Sequence, residues 1–133
     1  MEQELDRLRG KEEVKKPEIN SDRGGGFIPE HYIPQDDVRI TLYRRLINAV
    51  GLDEVDALCG EISDRFGAVP SEVKYLVGLT AIKNFGGRYG IHDVAIKKGL
   101  VTVKYSGVEI PERVRKYLKS LGRNVKYIKE AVK

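Results

Sequence analysis

The 133-residue chain has no tryptophan, one methionine and one cysteine, and it has no apolar run long enough to cross a membrane. A membrane-spanning helix needs about 20 consecutive, mainly apolar residues. A single thiol, Cys59, cannot close an internal disulfide, which suits a reducing compartment. The opening segment MEQELDRLRGKEEVKK lacks the apolar stretch of a secretory signal peptide. The sequence therefore predicts a cytoplasmic protein with no membrane part.

Side chains that carry out chemistry are equally scarce. His31 and His92 are far apart in the sequence, and neither has a metal-ligating partner at a zinc-site spacing. Phosphate-binding loops, nucleophile elbows and kinase motifs are absent. Cys59 falls on the apolar stripe of a predicted helix, where a buried and unreactive thiol is expected. We therefore expect no catalytic residue, metal site or cofactor, and a small enzyme is the least favoured hypothesis.

Positive charge is concentrated in the last third of the chain. The whole sequence carries +4, but residues 1–26 carry −1, residues 27–87 carry −3 and residues 88–133 carry +8. Such a region can bind nucleic acid or an acidic protein face, or it can be an ordinary lysine-rich surface. The candidate basic patch consists of Arg113, Arg115, Lys116, Lys119, Arg123 and Lys126.

The composition divides the chain into a connector and a domain. Residues 1–26 have few aliphatic side chains and end in three glycines, which predicts a flexible, largely disordered connector. Residues 27–133 form the domain. It opens with FIPEHYIP, residues 27–34, which we call the Ile-Pro strip. Proline disfavours helical geometry in the residue before it, so we expect the strip to be extended and to lie across the following helices.

Helical spacing of apolar residues predicts three helices, over residues 36–50, 54–66 and 71–85. Asp53 is the expected N-cap of the second. The third is apolar nearly all round, which predicts a central position with cover on two sides. The apolar stripe expected on the first helix comprises Leu42, Tyr43, Leu46, Ile47 and Val50.

Alternating patterns after the glycines at 86, 87 and 90 predict a hairpin of two strands, residues 91–97 and 100–105. A fourth helix over residues 111–121 and a third strand over residues 125–128 follow. The predicted fold class is α+β, with an antiparallel helical half of three helices followed by a small β-β-α-β half.

The string DRFGAVP, beginning at Asp64, describes a helix end. Phe66 is expected in the core, Gly67 at a positive φ, and Pro70 at the start of the next helix. A carboxylate near a helix C-terminus is unfavourable without a cation beside it. We therefore expect Asp64 to form an ion pair with an arginine, and Arg39 is the first choice.

Three blocks carry a resemblance to a known family. Tyr32-Ile33-Pro34, then Arg39 with Tyr43-Arg44-Arg45, then Asp64-Arg65-Phe66-Gly67 with Pro70 resemble the C-terminal domain of bacterial transcription-repair coupling factors over about residues 27–104. The family usually has an alternating apolar stretch before the strip, where this chain is polar, so no firm edge strand is expected there. The matching positions Tyr32, Pro34, Arg39, Tyr43, Asp64, Phe66, Gly67 and Pro70 look like determinants of the fold.

The resemblance implies a function for the chain. Family members are ATP-driven DNA translocases that remove stalled RNA polymerase and recruit nucleotide-excision repair. The nucleotide-binding motifs are absent here, so this chain is expected to be a non-catalytic domain of such a protein. In the family it packs on the N-terminal repair-protein-like module and masks the surface that recruits the damage-recognition ATPase. Arg44, Arg45 and Arg65 are the candidate interface residues, because arginine anchors interfaces well.

The alternative hypothesis is an auxiliary DNA-binding module that uses the candidate basic patch. Aromatic residues are not interleaved with these basic residues in the way that stacking on single strands requires. The regulatory interaction domain is therefore the favoured reading.

Overall fold

The structure is a computed structural model that describes residues 15–131. Within these residues the chain forms four α-helices, one 3₁₀ helix and four strands. Their order is β1 (Glu18–Ser21), α1 (Asp36–Ile47), α2 (Leu52–Phe66), α3 (Ser71–Phe85), the 3₁₀ helix (Gly86–Tyr89), β2 (Ile91–Lys97), β3 (Leu100–Tyr105), α4 (Glu112–Lys119) and β4 (Asn124–Lys129). The α+β class and the sequence of a three-helix half and a β-β-α-β half are confirmed.

Helices α1 and α2 each have acidic residues in the first turn, where the negative charge interacts favourably with the positive end of the helix dipole. Asp36 and Asp37 lie in the first turn of α1. The N-cap of α2 is Gly51, so Asp53 lies in the first turn and the expected capping role was wrong. At the other end of α2, Gly67 has a φ of 90°, as the helix-end pattern predicted.

Helix α3 occupies the centre, as its apolar sequence predicted. It packs against α1, α2 and α4. Its buried positions are Val73, Tyr75, Leu76, Val77, Gly78, Ala81, Ile82 and Phe85.

Helix α1 buries a narrower stripe than its sequence predicted. Leu42 and Leu46 are in the core, but Ile47 is 66% exposed and Val50 is 74% exposed. The reason is that α1 ends at Ile47, so Val50 lies in the loop beyond it. Because only one arc of α1 faces α2 and α3, Ile47 turns outward.

The four strands form one sheet in the order β1-β2-β3-β4. Strands β2 and β3 are antiparallel, whereas β1 runs parallel to β2 and β4 parallel to β3. Alternation of side chains puts one face of the hairpin into the core and the other toward the surface. The buried set on the core face comprises Val94, Ile96, Val101 and Val103.

Strand β1 corrects the expectation for residues 1–26. Ile19 pairs with Val94 and Ser21 with Ile96, so this part of the segment is a strand and not a flexible connector. The Ser21 hydroxyl also lies 2.7 Å from the Tyr75 hydroxyl of α3. Backbone pairing with the edge of β2 stabilises a segment whose side chains are mostly polar. Residues 1–14 lie outside the described part, and the domain boundary at residue 27 stays a prediction.

The Ile-Pro strip is buried as expected, but it is not extended throughout. Ile28 and Ile33 are in the core, whereas Phe27 is 53% exposed. The backbone amides of Tyr32 and Ile33 both donate to the carbonyl of Pro29, which makes a turn in the middle of the strip. This turn allows both isoleucines to reach the core. Within residues 15–131, no helix combines the length and apolar content that a membrane span requires.

Candidate interaction surface

Two residues of α1 hold the Ile-Pro strip. The Arg39 guanidinium donates to the carbonyls of Ile33 at 2.7 Å and Pro34 at 3.0 Å, and it also pairs with Asp36. The backbone amide of Ile28 donates to the Tyr43 hydroxyl at 2.6 Å. Arg39 and Tyr43 therefore join the Ile-Pro strip to α1, and their role as determinants of the fold stays a prediction.

Tyr32 joins the strip to the end of α2. Its hydroxyl donates to the carbonyl of Gly67 at 2.7 Å, and its ring meets the edge of the Phe66 ring at a centroid distance of 6.1 Å. Burial raises the pKa of Tyr32. Pro70 then starts α3, because its carbonyl accepts the amides of Val73 and Lys74. Most of the family-matching residues therefore lie where the Ile-Pro strip, α1, α2 and α3 meet: Tyr32, Pro34, Arg39, Tyr43, Phe66, Gly67 and Pro70. Asp64 is the exception.

The predicted ion pair between Asp64 and Arg39 was wrong. Asp64 is exposed, and within the described residues no cation pairs with it. Arg39 points the other way, because the turn in the strip presents two carbonyls at the start of α1. The Arg39 guanidinium, which was expected to bind Asp64, binds these two carbonyls and Asp36 instead.

Two of the three candidate interface arginines bind within the domain. Arg45 donates to both carboxylate oxygens of Glu61, at 2.7 and 2.9 Å, and Arg65 lies 3.7 Å from the same carboxylate. Arg45 in particular holds the pKa of Glu61 below its usual range. Arg65 also lies over the Phe66 ring, 4.8 Å from its centroid. Arg45 therefore connects α1 to α2, whereas the contacts of Arg65 lie within the last turns of α2.

Arg44 differs from these two, because it has no carboxylate partner among residues 15–131. It lies beside a groove of about 350 Å³ between α1 and α2. Positions 40, 44 and 47 share one side of a helix. We call Ile40, Arg44 and Ile47 the outer face of α1. Ile40 is 52% exposed, so this face combines two exposed aliphatic side chains with one unpaired cation.

Most of the candidate basic patch is neutralised by carboxylates. Arg113 donates to Asp53 at 2.6 Å and lies 3.5 Å from Asp56, while Lys116 lies 2.9 Å from Asp56. These contacts join α4 to α2. The other two pairs are Arg115 with Glu109 and Lys119 with Glu112, each at 3.3 Å.

Arg123 and Lys126 remain without a carboxylate partner in the part of the chain that the structure describes. Arg123 donates to the carbonyl of Lys98 at 3.4 Å. Lys126 is exposed on β4, where it pairs with Thr102 on the sheet face opposite the core. The candidate basic patch is therefore not one continuous surface of available cations.

Asp56 is the centre of the contact between the two halves. Besides Arg113 and Lys116, it accepts a hydrogen bond from the Tyr117 hydroxyl. Burial alone raises the pKa of Asp56, but the hydrogen bonds from Tyr117 and Lys116 and the charge of Arg113 outweigh burial, so its pKa lies below the usual range. Burial raises the pKa of Tyr117, and the bond to Asp56 adds to this effect.

Cys59 lies in a small apolar cleft between α2, α3 and α4. The cleft has a volume of about 150 Å³, and Ile62, Val77 and Tyr117 are among its walls. Cys59 is half-buried, so the expectation of a fully buried thiol was only partly right. Burial raises the pKa of the thiol, and the charge of Asp56 adds to this effect. A raised pKa keeps the thiol protonated and therefore a weak nucleophile.

The histidines lie apart from these groups. His31 is exposed, and His92 lies 3.0 Å from Glu130. Across residues 15–131, no three His, Cys, Asp or Glu side chains are close enough together to hold a metal ion.

Comparison with known proteins decides the family. The model of the TRCF domain matches residues 25–115, which is more than half of the chain. The chain belongs to the TRCF domain family. The match covers the strip, the three helices and the hairpin, and it ends within α4.

Similar proteins with curated names are transcription-repair-coupling factors. The chain is 29% identical over 101 residues to that of Rickettsia typhi, covering 75% of this chain and 9% of the relative. It is 32% identical over 94 residues to that of Mycobacterium tuberculosis, covering 71% of this chain and 8% of the relative. The TRCF domain described here therefore spans less than a tenth of the length of these relatives.

A solved structure supports the fold. The crystal structure of the C-terminal domain of transcription-repair coupling factor superposes with a TM-score of 0.51 at 20% sequence identity. The match covers 76% of this chain and 60% of that chain. At this identity the superposition shows a shared fold.

Proposed function

We propose that this chain is a non-catalytic regulatory domain of a cytoplasmic transcription-repair coupling factor. In this proposal it packs against the N-terminal repair-protein-like module of the same parent protein and masks the surface that recruits the damage-recognition ATPase. ATP-driven translocation on DNA and removal of stalled RNA polymerase belong to other domains of the parent. The chain's small share of its relatives' length supports this division of labour.

The observation that carries the proposal is the outer face of α1. Two exposed aliphatic side chains flank Arg44, whereas the other two candidate interface arginines, Arg45 and Arg65, already bind Glu61. Exposed aliphatic side chains beside an available arginine are suited to the desolvated centre of a protein interface. We assign this face to the N-terminal module, because a masking contact has to be intramolecular.

The contact has to be weak enough to release. Interfaces between domains of one chain commonly bury about 600–1,500 Å² and are fairly polar. Regulatory coupling is typically about 1–3 kcal/mol, which changes an affinity by roughly 5–150-fold. A narrow face with two aliphatic residues and one arginine supports an interaction of this modest strength.

Capture of the damage-recognition ATPase by the full-length coupling factor tests the proposal. Ile47→Lys places a charge in the proposed contact, and we expect capture to rise several-fold, approaching the level reached when residues 27–133 are deleted. Val108→Lys is the matched control, because Val108 is 78% exposed in the loop before α4 and lies outside the outer face of α1. Circular dichroism confirms that both variants fold.

The deletion and Ile47→Lys test separately whether the domain masks the recruiting surface and whether the outer face of α1 makes the masking contact. Equal capture with and without residues 27–133 would show that the domain masks nothing. Increased capture on deletion, together with no effect of Ile47→Lys, would show that a different face makes the contact.

The ion pairs of α4 weigh against the DNA-binding alternative as it was framed from the sequence. Arg113, Arg115 and Lys116 bind carboxylates of the domain itself, so contacts to DNA phosphates must compete with them. The regulatory role is therefore favoured over a DNA-binding role for these residues.

A further inference from the structure

A cleft of about 490 Å³ lies where α3 begins, α4 ends and β2 turns into β3. Four cationic side chains line it: Arg23, Lys74, Lys119 and Arg123. Arg23 and Lys74 come from outside the basic last third of the sequence, so the charge distribution along the chain did not predict this grouping. Ser71 and Ser120 add hydroxyl groups to the lining.

Three of the four cations have no carboxylate partner. Among residues 15–131, neither Arg23, Lys74 nor Arg123 forms an ion pair, whereas Lys119 lies 3.3 Å from Glu112. The Asp22 carboxylate lies at the turn between β2 and β3, where it accepts the backbone amide of Lys98 at 2.8 Å, and it forms no ion pair with these three cations. The cleft therefore has an excess of positive charge that the domain itself leaves uncompensated.

Neutral groups hold both guanidinium groups in place. Arg23 lies over the Tyr75 ring, with its guanidinium carbon 3.9 Å from the centroid, and donates to the carbonyl of Leu121 at 3.0 Å. Arg123 donates to the carbonyl of Lys98. These contacts orient the groups without consuming their charge, so little side-chain freedom is lost when an anion binds.

Two glycines keep this end of the cleft free of side chains. Gly99 has a φ of 82°, and a Cβ atom there would stand 2.8 Å from Nε of Arg123. A Cβ atom on Gly122 would stand 2.5 Å from the carbonyl oxygen of Gly99. The amide of Arg123 donates to that same oxygen at 2.8 Å. Arg123 is thus positioned against bare backbone: a side chain at position 99 would displace the Arg123 guanidinium, and one at position 122 would displace the Gly99 carbonyl.

We propose that this cleft binds a phosphate group, held by Arg23, Lys74 and Arg123. A phosphate group offers several acceptor oxygens and more than one negative charge, which suits two planar guanidinium forks and one ammonium group. The backbone of a nucleic acid and a free phosphate compound present this same chemistry, so the test includes both. The proposal does not depend on the masking role of the outer face of α1.

Amide chemical shifts of the ¹⁵N-labelled chain report on the cleft directly. We expect pyrophosphate, added at low salt, to produce saturable shifts at Ser71, Gly99, Gly122 and Arg123. Sodium chloride at matched ionic strength serves as the blank. A parallel titration with a short DNA duplex distinguishes the sources, because a site built for a nucleic-acid backbone binds the duplex more tightly than it binds pyrophosphate.

Charge-neutral variants give the quantitative test. We expect Lys74→Gln and Arg123→Gln each to weaken binding about tenfold, the size of one lost hydrogen bond between charged groups. Lys83→Gln is the matched control: Lys83 is also an exposed lysine of α3, but it does not line the cleft. It should leave binding unchanged, and thermal melts verify that all three variants fold.

Two results overturn the proposal. One is the absence of saturable shifts at the cleft with either ligand. The other is an equal loss of binding in Lys83→Gln and Lys74→Gln, which would show that net charge alone attracts the anion. Saturable binding of either ligand, lost in Lys74→Gln and Arg123→Gln but kept in Lys83→Gln, supports it.

Discussion

Gly78 of α3 lies against the backbone carbonyl of Tyr117 in α4: a Cβ atom added to Gly78 would stand 2.6 Å from that oxygen. The sheet half of the domain therefore meets the helical half through close backbone contact. The ion pairs from Arg113 and Lys116 to Asp56 lie on the same junction.

Gly78→Ala should destabilise the domain by about 1–3 kcal/mol, the usual range for an overpacked core site. Helix propensity alone favours alanine by roughly 1 kcal/mol, so the expected sign is opposite to the propensity. Gly60→Ala is the control, because Gly60 lies inside α2 with nothing within 4 Å of an added Cβ atom. Gly60→Ala should stabilise by about 0.5–1 kcal/mol. Urea unfolding of both variants checks the prediction, and a stabilised Gly78→Ala would contradict it.

Tyr117→Phe and Tyr127→Phe should differ although both remove one hydroxyl group. The Tyr117 hydroxyl donates to Asp56, so its loss should lower the free energy of unfolding by about 1–2 kcal/mol. The Tyr127 hydroxyl is buried and has no hydrogen-bond partner among the described residues. Its removal should leave the free energy of unfolding unchanged or raise it by up to about 1 kcal/mol. Equal losses in the two variants, measured by urea unfolding, would contradict this assignment.

Stability should fall with acid partly through Asp56. Its pKa in the folded protein lies below the unfolded value of 3.8, so its contribution is fully present above that pH. The contribution is lost as the pH falls through the folded-state pKa, because the unfolded chain then binds the proton more tightly. Asp56→Asn should therefore be less stable than wild type at pH 7 by about 1–2 kcal/mol, as expected for lost charged hydrogen bonds.

The difference between wild type and Asp56→Asn should shrink as the pH is lowered below 3.8. Urea unfolding at several pH values measures it. Asp64→Asn is the control from the same helix, because Asp64 is exposed and unpaired within residues 15–131. A difference that stays constant with pH would contradict the role of Asp56 ionisation.

Arg39→Lys should loosen the Ile-Pro strip. Lysine keeps the charge but cannot reproduce the planar fork that serves Ile33, Pro34 and Asp36 together. We expect a loss of about 1–2 kcal/mol in the free energy of unfolding, from one or two broken hydrogen bonds. Arg44→Lys, also in α1, should change stability little because Arg44 has no carboxylate partner among residues 15–131. Proteolysis within the strip should be faster only in Arg39→Lys.

Short-range sequence patterns were enough to predict the helices and strands that are determined by neighbouring residues. The hairpin of β2 and β3 could be predicted from alternation around the Lys98-Gly99 turn, and α3 from its apolar run and flanking Pro70 and Gly86. Strand β1 could not, because Glu18–Ser21 is short and has only one aliphatic side chain. Its pairing partner is far away in the sequence, so no window around residue 18 contains the reason for the strand.

The surfaces were harder to predict than the elements, because ion pairs depend on which helices become neighbours. Arg39 was assigned to Asp64 because a carboxylate near a helix C-terminus needs a cation, but Arg39 binds the carbonyls that the turn in the strip presents. In the same way, the sequence did not show that the cations of α4 are paired, because their partners Asp53 and Asp56 belong to α2. The cleft cations Arg23 and Lys74 were missed because they are separated by 51 positions in the sequence and belong to different elements.

The parallel pairing of β1 with β2 has a kinetic consequence. Glu18 is aligned with Asp93, so the ladder closes a loop that contains all three helices of the first half. Closing so long a loop costs more chain entropy than closing the hairpin and raises the contact order. The hairpin and the helices have nearer partners and can form early. We therefore expect strand β1 to complete the sheet late in folding, and we expect the edge of β2 to stay open to strands of other molecules until it does.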